Sequence, residues 1–284
     1  MISESQRKEY ETEGVVLLEQ SFAPEWISRL TNAFDRLQSL LRAGRALPHC
    51  GDPGIRPADG DFDARTGRAH LRNAAPHDPD VRAWAAESPA ADLVASLLGA
   101  RTVQLWYDLW FCKEAGGGIE AATPWHHDSV GHCFEGPHIP SLWIALSDVG
   151  PDDAPLLTLQ GSHRDPRLFP PPYRPGKEHW PLAEGYTPIE VMHAEVAVQT
   201  SRVQTWTVRA GDCLLIHPQT WHASLPQRSP ERRRLACTSR WLGSDLAFQP
   251  RPYSFNGYYR AADLLSVGAR PPFDFLPTLV RSSS

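Results

Sequence analysis

The segment TPWHHDSVGH, residues 123–132, places two neighbouring histidines beside an aspartate. If residues 125–128 are extended, side chains alternate between the two faces, so His126 and Asp128 point one way and His127 points the other. An imidazole and a carboxylate side by side can bind a divalent metal from one rigid element. Taken alone the pattern is weak evidence, because most such triplets are structural or lie on the surface.

A third metal ligand has to come from another part of the chain. The segment GDCLLIHPQTWHAS offers two histidines for this role, His217 and His222. Two histidines and one carboxylate on one face of an octahedral metal leave three positions open, an arrangement that suits the oxygen chemistry of non-haem Fe(II). The residue types therefore predict a metal site, with either histidine available to complete it.

A basic cluster in QRSPERRRLACTSRW follows this segment and leads into an apolar strand. Arg233 lies eleven residues beyond His222. An arginine that faces the inside of a barrel is well suited to hold a small carboxylate through two hydrogen bonds. The competing interpretation, a solvated strand end formed by Arg232, Arg233 and Arg234, is favoured when the cluster is considered alone. Strand parity predicts that Arg240 faces away from Arg233, and therefore away from the pocket.

Together these segments resemble the phytanoyl-CoA dioxygenase family of Fe(II)- and 2-oxoglutarate-dependent oxygenases, over roughly residues 5–250. The family has a tryptophan or similar residue before its HxD motif, and PWHHD matches this pattern with His126 and Asp128 as the implied metal ligands. The later motif, matched by GDCLLIHPQTWHAS, makes His222 the implied third ligand. It leaves His217 as a structural position.

The resemblance also implies residues that bind 2-oxoglutarate. Arg233 matches the family's anchor for the far carboxylate, and Ser224 resembles a helper at the same carboxylate. The strand LWYDLWFCKE resembles one whose lysine reaches the cosubstrate, which implicates Lys113. The long match of LWIALSDVGPDDAPLLTLQGSHR to a strand, hairpin and GSH-basic segment implicates Thr158.

The substrate pocket is much less defined by the sequence. His132 follows Asp128 by four residues and lies in a polar loop, which makes it a candidate. Aromatic residues in the strands form a second group of candidates, although such residues belong to the core more often than to a ligand site. These aromatic candidates are Tyr107, Trp110, Trp143 and Trp206.

The activity implied by the resemblance is oxidation of a C–H bond, most simply hydroxylation, with Fe(II) as cofactor and 2-oxoglutarate and O2 as cosubstrates. Succinate and CO2 are released. The expected substrate is a small polar metabolite or a natural-product intermediate. Halogenation is not expected, because related halogenases have a small residue where this chain has Asp128.

Two other functions use the same residues. A Zn or Mn hydrolase or isomerase on a cupin-like barrel would use His126, Asp128 and His222 as ligands and would have no need of Arg233. A degenerate barrel that serves only as a binding or scaffold protein would need none of these residues, and the intact set argues against it.

The elements that position these residues change character along the chain. Residues 1–99 predict a strand at Val15–Leu18, a helix from Pro24 to near Gly44, and two helices at 78–87 and 89–98. Between them, residues 45–76 have no periodicity and predict a long loop that could act as a lid.

From residue 100 onward, short runs of branched and aromatic residues are separated by Gly, Pro and Asp. Such runs predict a mainly β body over residues 100–250, as a sandwich, barrel or jelly roll. The family resemblance narrows this to a double-stranded β-helix, a cupin-like jelly-roll barrel with the N-terminal helices outside it. Residues 251–284 predict a loop-like tail, and the whole chain is expected to form one domain.

Composition limits the partners. The chain has 284 residues, a net charge of −5, 41% hydrophobic and 21% charged residues, as in ordinary globular proteins. No apolar run approaches the roughly 18 residues needed to cross a bilayer, and residues 1–14 lack the apolar segment of a secretory signal. We therefore expect a cytoplasmic enzyme with a small-molecule substrate, five reduced cysteines, and no nucleic-acid or membrane partner. The sequence does not specify an oligomeric state.

Overall fold

The structure, a computed structural model, describes residues 1–118, 121–172, 180–254, 265–269 and 280–282. Its helices are α1 (Glu4–Glu13), α2 (Pro24–Arg42), α3 (Pro79–Glu87), α4 (Ala90–Leu98) and α5 (Ile189–Val198). Its strands are β1 (Val15–Leu18), β2 (Asp59–Asp63), β3 (Arg68–Arg72), β4 (Thr102–Lys113), β5 (Thr123–His126), β6 (Phe134–Glu135), β7 (Ser141–Ala145), β8 (Leu156–Leu159), β9 (Val203–Trp206), β10 (Cys213–Ile216), β11 (His222–Ser224), β12 (Arg234–Leu242), β13 (Ala247–Phe248) and β14 (Val280–Ser282).

The strands form two principal antiparallel sheets. The larger sheet has the order β1-β10-β7-β12-β4-β3-β2, with β14 also paired to β4, and the smaller sheet has the order β5-β11-β8-β9. A two-stranded sheet of β6 and β13 completes the described strands. The expectation of a mainly β protein with helices is confirmed in this coarse form.

The two principal sheets pack against each other through apolar side chains. One buried cluster combines Trp143 of β7, Ile216 of β10 and Ala236 of β12 with Leu156 of β8. The first three residues belong to the larger sheet and Leu156 to the smaller one. The sheets therefore enclose an interior between them, and side chains on the inward faces of both sheets meet there.

Helices cover the outer face of the larger sheet, as predicted for residues 1–99. Apolar residues of α2 recur at three- and four-residue steps and bury one face of the helix. Leu30 and Phe34 of that helix belong to the same buried cluster as Trp110 of β4 and Cys237 of β12. The Phe34 and Trp110 rings stack with centroids 6.2 Å apart.

The prediction that residues 45–76 form an uninterrupted loop is wrong. Strands β2 and β3 form a hairpin there and extend the larger sheet beyond β4. The sequence of β2 is DGDFD, which lacks the branched residues typical of strands. Its aspartates instead form ion pairs with Arg72 of β3, at 2.6 Å from Asp59 and 2.7 Å from Asp61. Cross-strand charge pairs of this kind stabilise a hairpin that the hydrophobic pattern does not predict.

Other elements also lie outside the sequence predictions. Helix α1 begins with a capping box between Ser3 and Gln6, and α5 begins directly after Pro188. In the predicted tail, β14 pairs with β4, whereas residues 255–264, 270–279 and 283–284 lie outside the described residues. Within the described ranges, no helix combines the length and the apolar character that a membrane span requires.

Gly14 joins α1 to β1 at a crowded position. Its φ of +78° lies in the left-handed region, and a Cβ there would collide with Thr220 Oγ1 and the His163 ring. Its carbonyl accepts hydrogen bonds from the backbone of His217 and from Thr220 Oγ1. The position therefore connects the start of the chain to the segment just before His222.

We expect Gly14→Ala to lower the free energy of unfolding by about 2–4 kcal/mol, because left-handed strain adds to overpacking. Gly44→Ala is the matched control, since its φ is +64° and a Cβ there would meet nothing within 4 Å. The control should lose only about 1 kcal/mol, from strain. Chemical denaturation measures both values, and equal losses would contradict the role given to the collision.

Candidate metal site and its pocket

His126 and His222 lie on neighbouring strands of the smaller sheet. The register pairs β5 with β11 so that these two residues are opposite each other, and their ring centroids are 4.2 Å apart. Asp128 follows the end of β5 and precedes a short 3-10 turn, Ser129–Gly131. One ligand atom from each of the three residues lies within 4.8 Å of the other two. The structure thus brings together the three residues that the sequence selected.

Backbone carbonyls orient both imidazoles. The His126 Nδ1–H donates to the Pro124 carbonyl at 2.8 Å, and the His222 Nδ1–H donates to the Thr220 carbonyl at 2.9 Å. Because a carbonyl only accepts, each neutral ring keeps its proton on Nδ1 and leaves the Nε2 lone pair available. Desolvation, reinforced by His222, lowers the pKa of His126 to about 3. His126 is therefore neutral at physiological pH, the form that binds metals.

The two carboxylate oxygens of Asp128 have different surroundings. Oδ2 accepts a hydrogen bond from Arg240 Nη2 at 2.8 Å and one from Ser141 Oγ at 3.3 Å. Oδ1 lies 4.0 Å from His222 Nε2. Burial opposes ionisation, but Arg240 and the neighbouring histidines outweigh it and hold the pKa of Asp128 well below its usual range. The site therefore offers two imidazoles, each with its Nε2 turned away from the backbone carbonyl, and one carboxylate anion.

His217 does not belong to this group. Its ring packs against His163, with centroids 5.1 Å apart, and against Tyr10, with centroids 6.1 Å apart. Burial, followed by the charge of His163, lowers the pKa of His217 to about 3. A neutral, packed imidazole in this place agrees with the structural role that the sequence predicted.

The prediction that Arg233 faces the interior is wrong. Its guanidinium forms two hydrogen bonds with the carboxylate of Asp35 in α2, at 2.6 and 2.9 Å, on the helix-covered side of the sheet. Arg234, the next residue, is buried and lines the interior cavity instead. Strand β12 begins only at Arg234, so Arg233 precedes the strand and turns outward. Arg234, rather than Arg233, is therefore the arginine of this cluster that reaches the interior.

Arg234 is a buried cation with spare hydrogen-bonding capacity. Its Nε is buried without a hydrogen-bond partner among the described residues, and its guanidinium lies over the Trp143 ring at 5.2 Å. Burial lowers the pKa of Arg234 to about 10, which still leaves it protonated at neutral pH. A buried charge of this kind is unfavourable until an anion pairs with it.

Arg240 also lies in the interior, contrary to the prediction. The parity argument was sound, but it started from the wrong arginine. Arg234 and Arg240 are six residues apart and share a face, and both line the cavity that contains the metal-site residues. The small residues Ala236 and Thr238 lie between them on that face. The alternation of Arg234, Ala236, Thr238 and Arg240 is the sequence signal that could have identified this face.

Lys113 and Ser224 adjoin Arg234, close to where the sequence predicted them. Lys113 Nζ donates to Ser224 Oγ at 2.5 Å, and the register places Lys113 opposite Arg234 on neighbouring strands. Desolvation, followed by the charges of Arg234 and Arg68, holds the pKa of Lys113 well below its usual range. These groups together form a donor-rich end of the interior.

Thr158 and Trp206 do not line the cavity, contrary to the predictions for both. Thr158 lies opposite His222 in the register between β8 and β11, so its backbone supports the metal site. Its hydroxyl accepts a hydrogen bond from Trp206 Nε1 at 2.9 Å, and the side chain is fully buried. The two side chains therefore satisfy each other within the packed interior.

Of the other predicted pocket residues, Trp143 lines the cavity and three do not. Trp110 faces the helices and donates from Nε1 to Asp108 at 2.7 Å, because Leu109 and Phe111 occupy the inward positions of β4. Tyr107 lies below the Arg240 guanidinium, which is 5.6 Å from its ring centroid. His132 is buried against Trp106, with centroids 5.1 Å apart.

The cavity beside the three candidate ligands has a volume of about 430 Å³. Its walls are mostly apolar, and Asp128 is the only acidic residue among the described residues that line it. The apolar lining includes Leu109, Phe111, Val130, Leu156, Pro171 and Pro172. Arg68 and Tyr253, which the sequence did not suggest, also line it. A separate cleft of about 470 Å³ near Asp148 and Arg209 shares no residue with this cavity.

Two inward-facing sheets, two histidines and a carboxylate beside an enclosed cavity define a mainly antiparallel β protein with a non-haem metal site of the facial type. The sequence profile of the phytanoyl-CoA dioxygenase (PhyH) family matches residues 10–235. The chain belongs to this family.

Solved structures share the fold. The non-haem α-ketoglutarate-dependent carbocyclase SnoK from nogalamycin biosynthesis is 18% identical, with a TM-score of 0.66 over 99% of this chain and 96% of its own. The epimerase SnoN from the same biosynthesis is 21% identical, with a TM-score of 0.66 over 97% of this chain and 98% of its own. EctD from S. alaskensis, in its apoform, is 19% identical, with a TM-score of 0.60 over 95% of this chain and 87% of its own. No curated protein sequence matches the chain.

We expect His222→Ala to weaken Mn(II) or Fe(II) binding by more than about 100-fold, because loss of an outer partner of a ligand already costs 10–100-fold. His217→Ala is the matched control: it removes a buried imidazole from the same segment without removing a ligand, and it should stay within about threefold of the wild-type affinity. Anaerobic calorimetric titration measures both. If the two variants bind the metal with equal affinity, His222 is not a metal ligand.

Proposed function

We propose that this protein is an Fe(II)- and 2-oxoglutarate-dependent dioxygenase that oxidises, most simply hydroxylates, a C–H bond of a natural-product intermediate and releases succinate and CO2. We also propose that its two sheets form the double-stranded β-helix. The observation that carries the proposal is Arg234, a buried cation without a described anionic partner that lines the same cavity as the metal-site residues.

The residues that line the cavity fit both Fe(II) and 2-oxoglutarate. Two imidazoles and a carboxylate anion suit Fe(II) and would leave three positions for other ligands. 2-Oxoglutarate carries a second carboxylate at its far end, and the planar guanidinium of Arg234 matches a carboxylate through paired hydrogen bonds. When bound, Fe(II) and 2-oxoglutarate supply an oxidant, made from O2, that is strong enough to break a C–H bond.

Lys113 and Ser224 support the same carboxylate site. Two cationic side chains on opposite positions of β4 and β12 repel each other when both are charged, and an anion between them relieves this repulsion. The hydroxyl of Ser224 accepts from Lys113 and keeps its own proton available for donation. An anion at this end therefore gains donors that are already positioned, with little reorganisation.

The remaining wall favours a substrate with an apolar body. Leucine, phenylalanine, valine and proline side chains exclude water and hold a substrate by shape, which confines a strong oxidant to the carbon placed nearest the metal. This lining supports a natural-product intermediate over a small polar metabolite. A cationic substrate is disfavoured, because Asp128 is the only acidic residue among the described lining residues and Arg240 pairs with it.

The carboxylate of Asp128 occupies the place that a chloride ion would need at the metal. This supports oxidation over halogenation. Within one shared fold, SnoK is a carbocyclase and SnoN an epimerase, so hydroxylation is the simplest outcome of C–H attack rather than the one that the fold requires.

We expect the wild-type protein, loaded anaerobically with Fe(II), to develop a visible charge-transfer band on titration with 2-oxoglutarate. Arg234→Met should raise the Kd for 2-oxoglutarate by at least about 30-fold, or about 2 kcal/mol, because the carboxylate loses its charged partner. Arg233→Met should stay within about threefold of wild type, since that arginine pairs with Asp35 outside the cavity.

Two results would count against the proposal. If the wild-type protein binds Fe(II) but not 2-oxoglutarate, a non-redox hydrolase or isomerase becomes the better function, because that chemistry needs the metal without the anion. If Arg233→Met abolishes the band and Arg234→Met preserves it, the carboxylate anchor lies elsewhere.

A further inference from the structure

The contact between Arg240 and Asp128 connects the two sheets at the metal site. Arg240 lies on β12 and Ser141 lies opposite it on β7, both in the larger sheet. Both donate to Oδ2 of Asp128, which follows a strand of the smaller sheet. The donors are fixed by strand pairing, so the position of this oxygen is set by the larger sheet.

Arg240 itself has little freedom. Its side chain is 7% exposed, and its guanidinium lies over the Tyr107 ring at 5.6 Å. Its Nε and Nη1 are buried without hydrogen-bond partners among the described residues, so Nη2 is the atom that makes the specific contact. A buried arginine held this way is a costly feature, and the carboxylate of Asp128 is the group that compensates for it.

The two oxygens of Asp128 are therefore not equivalent toward the metal. Oδ1 is 4.0 Å from His222 Nε2 and belongs to the cluster of candidate ligand atoms, whereas Oδ2 already has a charged donor at 2.8 Å. With Oδ2 held by a charged donor, the carboxylate presents Oδ1 to a metal.

We infer that Arg240 is a positioning residue that restricts Asp128 to binding the metal through Oδ1 and thereby keeps three metal positions open. The inference rests on the proposed function, in which 2-oxoglutarate takes two positions and O2 needs the third. If Asp128 bound through both oxygens, it would occupy one of these three positions, and the one left without a place would be O2.

This role predicts an unusual combination of effects. The charge of Arg240 repels a divalent metal, so removing it should leave metal affinity equal or higher. The same change should close a metal position and slow turnover. A merely structural role would lower metal affinity and turnover together, so the sign of the metal-affinity change separates the two roles.

The experiment compares wild type with Arg240→Met and Arg240→Lys in the full chain. Arg233→Met is the control for loss of an arginine outside the cavity, because Arg233 directly precedes the same strand and pairs with Asp35. Protein with ¹³C-labelled aspartate is loaded with Zn(II), and the metal-bound minus metal-free infrared spectrum reports the carboxylate stretches. The carboxylate gap is the difference in frequency between the antisymmetric and symmetric stretches of Asp128. It is wide when one oxygen binds the metal and narrow when both bind.

A second measurement counts open positions. Nitric oxide is titrated against the anaerobic complex with Fe(II) and 2-oxoglutarate, and the electron paramagnetic resonance signal reports its binding to a vacant position. Arg240→Met should narrow the carboxylate gap and weaken nitric oxide binding at least about tenfold, with Zn(II) affinity no lower than in wild type. For Arg240→Lys, the carboxylate gap and the nitric oxide affinity should lie between those of wild type and Arg240→Met. Arg233→Met should match wild type in both.

A wide carboxylate gap and unchanged nitric oxide binding in Arg240→Met would overturn the inference. If Arg240→Met does not fold, Arg240→Lys decides between the same two outcomes, because lysine keeps the charge but its flexible ammonium does not hold a donor at the fixed position of Nη2. Failure of the wild-type protein to bind Fe(II) and 2-oxoglutarate would refute the proposed function instead, so the two failures are distinguishable.

Discussion

The interior depends on one strand that carries two arginines into an otherwise apolar space. Strand β12 pairs with β4 on one side and β7 on the other, so its alternation of faces is fixed along its length. Leu235 and Cys237 face the helices, whereas Arg234 and Arg240 face the other sheet. Burying an ion costs on the order of several kcal/mol unless a partner compensates. The structure satisfies Arg240 with Asp128 and leaves Arg234 without a described anion.

Under the proposed function, the charges of the interior favour binding of the metal and 2-oxoglutarate together. Fe(II) brings two positive charges and 2-oxoglutarate brings two negative charges, so the pair adds no net charge to the interior. Each alone leaves an imbalance: the metal would face the charge of Arg240, and the dianion would face the carboxylate of Asp128. Electrostatics therefore favours joint occupancy, which holds 2-oxoglutarate where the metal is present.

The sequence was most informative where the chemistry is local. His126 and Asp128 lie two residues apart, so short-range spacing was enough to select them. The choice of His222 over His217 came from the family resemblance. The assignment to Arg233 failed by one residue because the segment between β11 and β12 is irregular and carries no strand alternation. Counting residues across such a segment fixes distance along the chain but not which face a side chain takes.

The same limit explains the other errors. Trp110 and Leu109 are neighbours on β4, and composition alone cannot tell which one faces the cavity when both faces of the strand are buried. The hairpin of β2 and β3 was missed because β2 carries one apolar residue, Phe62, among aspartates that pair with Arg72. The buried apolar face comes mainly from Ala69 and Leu71 of β3. Helices α2, α3 and α4 lie close to their predicted bounds, because α2 buries one face and α3 and α4 have clear end signals in Asp78 and Gly99.

The division of roles between the sheets makes their packing part of the chemistry. The smaller sheet supplies the histidines, and the larger sheet supplies the cations and the donors to Asp128. The separation between metal and anchor is therefore set by the cluster that joins the sheets, including Trp143, Leu156 and Ala236. Trp143 packs in that cluster and lies beneath the Arg234 guanidinium. A change in its volume would alter the length available to a dicarboxylate without touching a single candidate ligand.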